Sequence, residues 1–135
     1  MASAAGSNPP AFGNSFQAFL EYLSEPSKPV QTLSPQRFSA AMHLDLHVLA
    51  EQAHVHKATV THAPGSRQVQ AFLKESLRVI KAASDLRGNL NEVLFWYRNE
   101  PLSEFEYRTA ERLVSEGRTD DLVRYVNSLV AGAAR

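Results

Sequence analysis

Apolar side chains recur along this chain at the three- and four-residue spacing of amphipathic helices, and they never alternate in the two-residue period of a strand. Phe16, Phe19, Leu20 and Leu23 predict a first helix, capped by Asn14 or Ser15 and stopped near Pro26. Ser34-Pro35 reads as a helix start, with serine as cap and proline at the first helical position. Phe38, Ala41 and Met42 give that helix its stripe, which ends near Leu44. Asp45 should cap the next helix, lined by Leu46, Leu49, Ala50 and Ala53. After a turn at His54-Val55-His56, Lys57 to His62 reads as a short helix ended by Ala63-Pro64-Gly65.

The second half continues in the same way. Ser66 opens a long helix with Val69, Phe72, Leu73, Leu77, Val79 and Ile80 on its buried face, running to about Ala83. Asp85 to Asn91 is a break or a weak start. Leu90, Val93, Leu94 and Trp96-Tyr97 form another segment, ending before Pro101. Leu102 and Phe105 anchor a loop or a single turn. Thr109 should cap a short helix with Ala110, Leu113 and Val114, and Gly117 stands where a helix ends. Thr119-Asp120-Asp121 places negative charge at the start of the last helix, where the dipole favours it. Leu122, Val123, Val126, Leu129 and Val130 should line its inner face, and Gly132 should break it. The fold class expected is all-α.

The segmentation gives four parts: a flexible tail over 1–14, a helix and linker over 15–33, a helix-turn-helix module with its long following helix over 34–84, and a helical domain over 85–135. The tail assignment rests on composition. Met1 to Asn14 is mostly Ala, Ser, Gly, Asn and Pro, with too few large apolar groups to offset the entropy of ordering.

Charge sharpens this division. The 135 residues carry 14 basic and 14 acidic side chains, a formal net charge of zero. Bulk electrostatic adhesion to nucleic acid is therefore not expected. The distribution is uneven. Residues 1–68 hold only Lys28, Arg37, Lys57 and Arg67 against Glu21, Glu25, Asp45 and Glu51, so residues 69–135 hold ten of each sign. All five histidines (His43, His47, His54, His56, His62) fall between positions 43 and 62. There is no cysteine, which excludes disulfides and thiol chemistry and favours a cytoplasmic setting. The longest apolar run, Val93 to Tyr97, is far short of the roughly 20 residues that span a bilayer. No charged segment leads into an apolar one at the start, so no signal peptide is expected.

The most specific local pattern is Leu49 to Val60. Steeply crossing helices need a small residue at their contact, and Ala50 suits it. Val55 suits the plug after the turn, and Ala58 and Val60 the buried side of the second helix. That leaves His56, Lys57, Thr59, Thr61 and His62 outward, all able to donate hydrogen bonds to phosphates or base edges. With Arg67, and with Arg37 nearby, they are the candidate DNA-binding residues. This resembles the helix-turn-helix of Xre-type DNA-binding proteins, which usually carry glycine at the place of His54 because the backbone there is left-handed. His54-x-His56 with His62 lacks the four-ligand pattern of a structural zinc site. The carboxylates of the second half lie beside arginines at helical spacing, as on a solvated face. No phosphate loop or nucleophile turn occurs, so neither metal, cofactor nor enzymatic activity is expected.

The order Phe95-Trp96-Tyr97, Pro101-Leu102, Phe105, Thr109-Ala110 to Val114, Gly117, Val123 to Leu129 and Gly132 is similar to the toxin-binding C-terminal domain of MbcA, ParS or Xre antitoxins. The likeness covers Asn89 to Gly132, or residues 34–132 with the helix-turn-helix. Many members have Thr-Pro where this chain has Thr109-Ala110, and a glycine pair in place of Glu106-Tyr107-Arg108. The resemblance implies an antitoxin of a type II toxin–antitoxin pair. It would neutralise a RES-type toxin that consumes NAD or transfers ADP-ribose, and repress its own operon by binding operator DNA. A homodimer is expected, because paired recognition helices read a palindrome.

Trp96, Tyr97, Arg98, Arg118, Arg124 and Arg135 are the candidate toxin contacts, as residue types enriched at interface hot spots. Trp96 also reads as a core anchor. The C-terminal Ala131 to Arg135 would enter the toxin's NAD cleft, Arg135 standing in for a charged cofactor group. The alternatives are a stand-alone helix-turn-helix regulator without a toxin and a helical adaptor that binds protein only.

Overall fold

The computed structural model describes residues 12, 15–25 and 32–133. Most of the expected N-terminal tail, part of the linker after Pro26, and Ala134-Arg135 lie outside the described residues. Among those described the chain is all-helical, with no strand beyond isolated bridges at Ser24–Leu33 and Leu102–Arg108. It divides into two compact units. One comprises Gln17–Leu73, and the other comprises Phe12–Phe16 with Lys74 onward. The division falls inside the long helix, after Leu73. Phe12, expected in a flexible tail, is buried.

The first unit holds α1 (Phe16–Leu23, less its first residue), α2 (Pro35–Met42), α3 (Leu46–Ala53), α4 (Lys57–His62) and the first turns of α5 (Arg67–Ser84). Ser34 caps α2, its Oγ accepting from the Arg37 N–H at 3.1 Å. Proline at the first position loses no hydrogen bond there. Helix α2 ends at His43 and α3 at His54, both in the left-handed region, with φ of 56° and 60°. At each end the same pair of bonds forms. The His43 N–H reaches Ala40 O and the Leu44 N–H reaches Ser39 O; the His54 N–H reaches Glu51 O and the Val55 N–H reaches Ala50 O. This is the Schellman closure, and it needs a left-handed residue at its corner.

Phe19, Leu23, Phe38, Leu49, Val60, Val69 and Leu73 are fully buried in this unit. Each removes enough apolar area from water to contribute roughly 2 kcal/mol. One amide ties the unit's loops together. Buried Gln70 accepts from the Leu33 N–H at 2.9 Å and donates to Leu33 O and Pro64 O, both at 2.8 Å.

The second unit holds the rest of α5, α6 (Leu90–Asn99), a 3-10 turn (Ser103–Phe105), α7 (Ala110–Ser115) and α8 (Thr119–Ala133). Asn89 caps α6 by accepting from the Glu92 N–H, and Thr109 caps α7 by accepting from the Arg112 N–H. Gly117, at φ 82°, closes α7 with the pair of bonds seen after α2 and α3. Helix α6 packs on α7, and α7 on α8. Two expectations for α8 are corrected. Its inner face is narrower: Leu122 and Val126 are buried, Val123 and Val130 are half-buried, and Leu129 is 38% exposed. Gly132 does not break the helix, which continues to Ala133; a glycine in the last turn costs only about 1 kcal/mol. No helix among the described residues is long and apolar enough to cross a membrane.

Candidate functional site

In the first unit the candidate site is the outer side of α4 and the turn before it. The turn at His54 is left-handed, with φ of 60°. It reverses the chain so that α3 and α4 pack directly on each other. Ala50 and Ala53 are buried, consistent with a close approach, while Val55 is only half-buried. Helix α4 has six residues, and Val60 is its buried side chain. Ala58, expected beside Val60 on the inner face, is exposed; in so short a helix one residue suffices to fasten it.

The outward set follows from that single anchor. His56 stands just before the first turn, exposed, and its side chain makes no capping bond. Lys57, Thr61 and His62 are exposed, and Thr59 is half-buried. Thr61 Oγ1 donates back to Lys57 O at 3.2 Å, which leaves its lone pairs outward. Arg67, at the start of α5, is exposed as well. Arg37 is occupied elsewhere, donating to Tyr22 O at 2.8 Å and lying 5.7 Å from the Tyr22 ring centroid. His62 also borders a cleft of about 500 Å³ with Glu25, Thr32, Pro64 and Ser66. The five histidines are all exposed, and no grouping able to hold a metal occurs among the described residues.

The second unit sorts its candidate residues differently. Tyr97 is fully buried and donates to Ser76 Oγ at 2.9 Å. Burial holds its hydroxyl well above the usual phenol range, and the bond with Ser76 only partly opposes this. Trp96 is buried too, with one edge on a shallow groove of about 380 Å³ shared with Arg87, Asn91, Glu92, Phe95 and Glu100. The expected toxin contacts Trp96 and Tyr97 are thus core residues, because both face α6's inner side. The aromatic that α6 turns outward is Phe95, 69% exposed.

The arginines are also committed internally. Arg98 pairs with the mostly buried Glu111 at 3.4 Å. Arg118 lies 5.2 Å from the Phe105 ring centroid and pairs with Asp121 at 3.4 Å. Arg124 is exposed beside Asp121, and Arg135 lies outside the described residues. Two exposed aromatics, Phe95 and Tyr107, were not singled out from the sequence. Phe95 could have been read from the helical period, since it sits out of phase with Val93, Leu94, Trp96 and Tyr97; Tyr107 had no such signal. Comparison of the chain with protein-family models, with curated proteins and with solved structures finds no match.

Proposed function

We propose that this chain is the antitoxin of a type II toxin–antitoxin pair, a DNA-binding autorepressor that also binds and neutralises a RES-type toxin. The observation that carries the DNA-binding part is the outer face of α4. His56, Lys57, Thr61 and His62 stand exposed on a helix fastened by Val60 and set by a left-handed turn at His54. Hydrogen-bond donors of this kind position a protein on phosphates and read base edges. The toxin-binding part is supported by the order of elements from Asn89 to Gly132 and by the exposed aromatics of the second unit. The chain itself performs no chemistry in this reading, and it works as a homodimer.

Zero net charge shapes the expected DNA binding. Few counterions are released, so affinity should depend weakly on salt and strongly on the directed contacts of α4. The test is a gel shift on DNA from upstream of the gene, with the wild-type chain and with Lys57→Glu combined with Thr61→Ala. The substitutions are expected to weaken binding by about 30-fold or more, at about 1–3 kcal/mol for each lost contact, with helix content unchanged by circular dichroism. Equal binding would remove DNA recognition by α4. Copurification with the product of the adjacent reading frame tests the antitoxin part; DNA binding without it would leave a stand-alone regulator.

A further inference from the structure

Helix α6 has a charge at each end that opposes its own dipole. Arg87 stands at the amino end, two residues before the Asn89 cap, with its N–H on Ala83 O at 3.0 Å. Glu100 closes the carboxyl end, with its N–H on Trp96 O at 3.1 Å. A helix favours anions at its amino end and cations at its carboxyl end, so both side chains are at the wrong pole. Glu92 in the first turn and Arg98 in the last are at the right ones.

Neither misplaced charge is compensated within the second unit. Charges nearby in the chain are paired: Lys81 with Asp85 at 3.6 Å, and Arg98 with Glu111 at 3.4 Å. Arg87 and Glu100 are exposed and make no ion pair among the described residues. The Tyr125 hydroxyl feels the Glu100 charge but is itself neutral.

Both residues line the shallow groove of about 380 Å³ beside Trp96. The α6 positions in that groove, 91, 92, 95, 96 and 100, recur at helical spacing, so it follows one flank of the helix from Arg87 to Glu100. Between the two charges stands the exposed Phe95. Along the flank the order is cation, aromatic, anion.

A surface of that order is complementary to its own reverse. Two copies of α6 laid antiparallel across a two-fold axis bring Arg87 of each against Glu100 of the other, as an isologous contact requires. The axis then passes level with Val93 and Leu94. Phe95 lies about 2 Å along the helix from it, so the two rings meet at the centre. Each Arg87 also reaches the carboxyl pole of the other α6, and each Glu100 the amino pole. A placement wrong for one helix is right for the pair.

We propose that the flank of α6 from Arg87 to Glu100 is a homodimer interface, occupied by the same flank of a second copy of this chain. It supplies a surface for the homodimer of the DNA-binding reading, but it is measured without DNA or toxin, so its failure leaves DNA recognition by α4 untouched. One helix pair lies at the small end of specific interfaces, and the copies should exchange, with dissociation in the micromolar range.

The test is sedimentation of the full-length chain from about 5 to about 500 µM, spanning that range. The samples are wild type, Arg87→Glu, Glu100→Arg, the variant with both substitutions, and an equimolar mixture of the two single variants. Wild type should dimerise. Each single substitution sets like charges against each other at both ends of the contact and should weaken dimerisation by about 30-fold or more. The double variant and the mixture should both recover it, since each again opposes an arginine to a glutamate. Recovery in the mixture separates a contact from a folding defect, because a misfolded variant has nothing to recover. A wild type that stays monomeric throughout overturns the interface. So does a dimer that the single substitutions leave intact; if those variants instead lose the product of the adjacent reading frame, the groove belongs to the toxin.

Discussion

The two units close their helices with the same turn and stitch their loops with different chemistry. In the first, the corner residues are His43 and His54, and the long-range ties are neutral: the Gln70 amide on Leu33 and Pro64, and the Gln68 amide on Ala53 O and His54 O. In the second, the corner after α7 is Gly117, and ion pairs lace the surface. Arg78 reaches Asp120 at 2.9 Å, Arg112 reaches Glu116 at 3.0 Å, and Arg98 reaches Glu111. Neutral stitching leaves the first unit's few cations, Lys57 and Arg67, uncommitted to partners in these ties. Ionic stitching engages most of the second unit's described arginines, and Phe95 and Tyr107 are the large aromatics it leaves exposed. Most of the arginines of the second half thus have a carboxylate beside them, although Arg78, Arg112 and Arg124 stay exposed and Arg118 half-buried.

The sharpest way to break the comparison is to remove the neutral tie. Gln70→Leu keeps the volume roughly constant but strands the Leu33 N–H, Leu33 O and Pro64 O. With part of that loss met by water, about 3 kcal/mol of stability should disappear, since each orphaned buried group costs about 1–3 kcal/mol. Chemical denaturation reads the loss. A shift in midpoint near that of an ordinary surface substitution would mean that the amide is not what holds residues 32–34 against α5.

The ionic counterpart is Arg98. Glu111 has one carboxylate oxygen buried without a hydrogen-bond partner, 3.4 Å from the Arg98 Nε. Arg98→Met would leave that charge in the protein with its cation gone. The pair is partly solvated, so the expected cost is about 2 kcal/mol, below that of a fully buried pair. Arg98→Met with Glu111→Leu should recover most of it, because removing both charges also removes the desolvation cost. Arg98 was a candidate partner contact from sequence. A destabilisation that the double variant rescues identifies it as part of the fold.

Much of the fold was legible in the sequence because helix ends are chemically marked. Ser34-Pro35, Thr109 and Gly117 each name a boundary by the bond they make or the φ they adopt, whereas the Asn89 cap lies in a stretch that reads only as a break or a weak start. The left-handed corner at His54 was expected only through the resemblance, since histidine itself does not mark one. Depth was less legible than position. Periodicity gives the face of a helix, not how far its neighbour covers it, so Ala58 and Leu129 were placed inward and lie outward. Phe12 shows the converse: one aromatic in a polar segment carries no period, yet it is buried. The unit boundary after Leu73 could not be read, since nothing in the pattern of α5 changes there. Tyr107 was hidden because it belongs to no helical period, and its left-handed backbone has no local signature when neither it nor Glu106 is glycine.

The smallest effect tests the shared corner directly, with opposite signs in the two units. His54→Gly should stabilise the first unit by about 1 kcal/mol, because glycine adopts the left-handed corner without the Cβ penalty. Gly117→Ala should destabilise the second by a similar amount. No atom lies within 4 Å of where the added Cβ would stand, so the cost there is conformational and not steric. Both variants keep the corner's hydrogen bonds, which come from the backbone alone. Equal and opposite shifts in denaturation midpoint would show that the two units use one closure and differ only in its occupant. A loss on His54→Gly would instead mean that the imidazole contributes more than its backbone, and that the first unit keeps histidine at its corner for a contact that glycine cannot make.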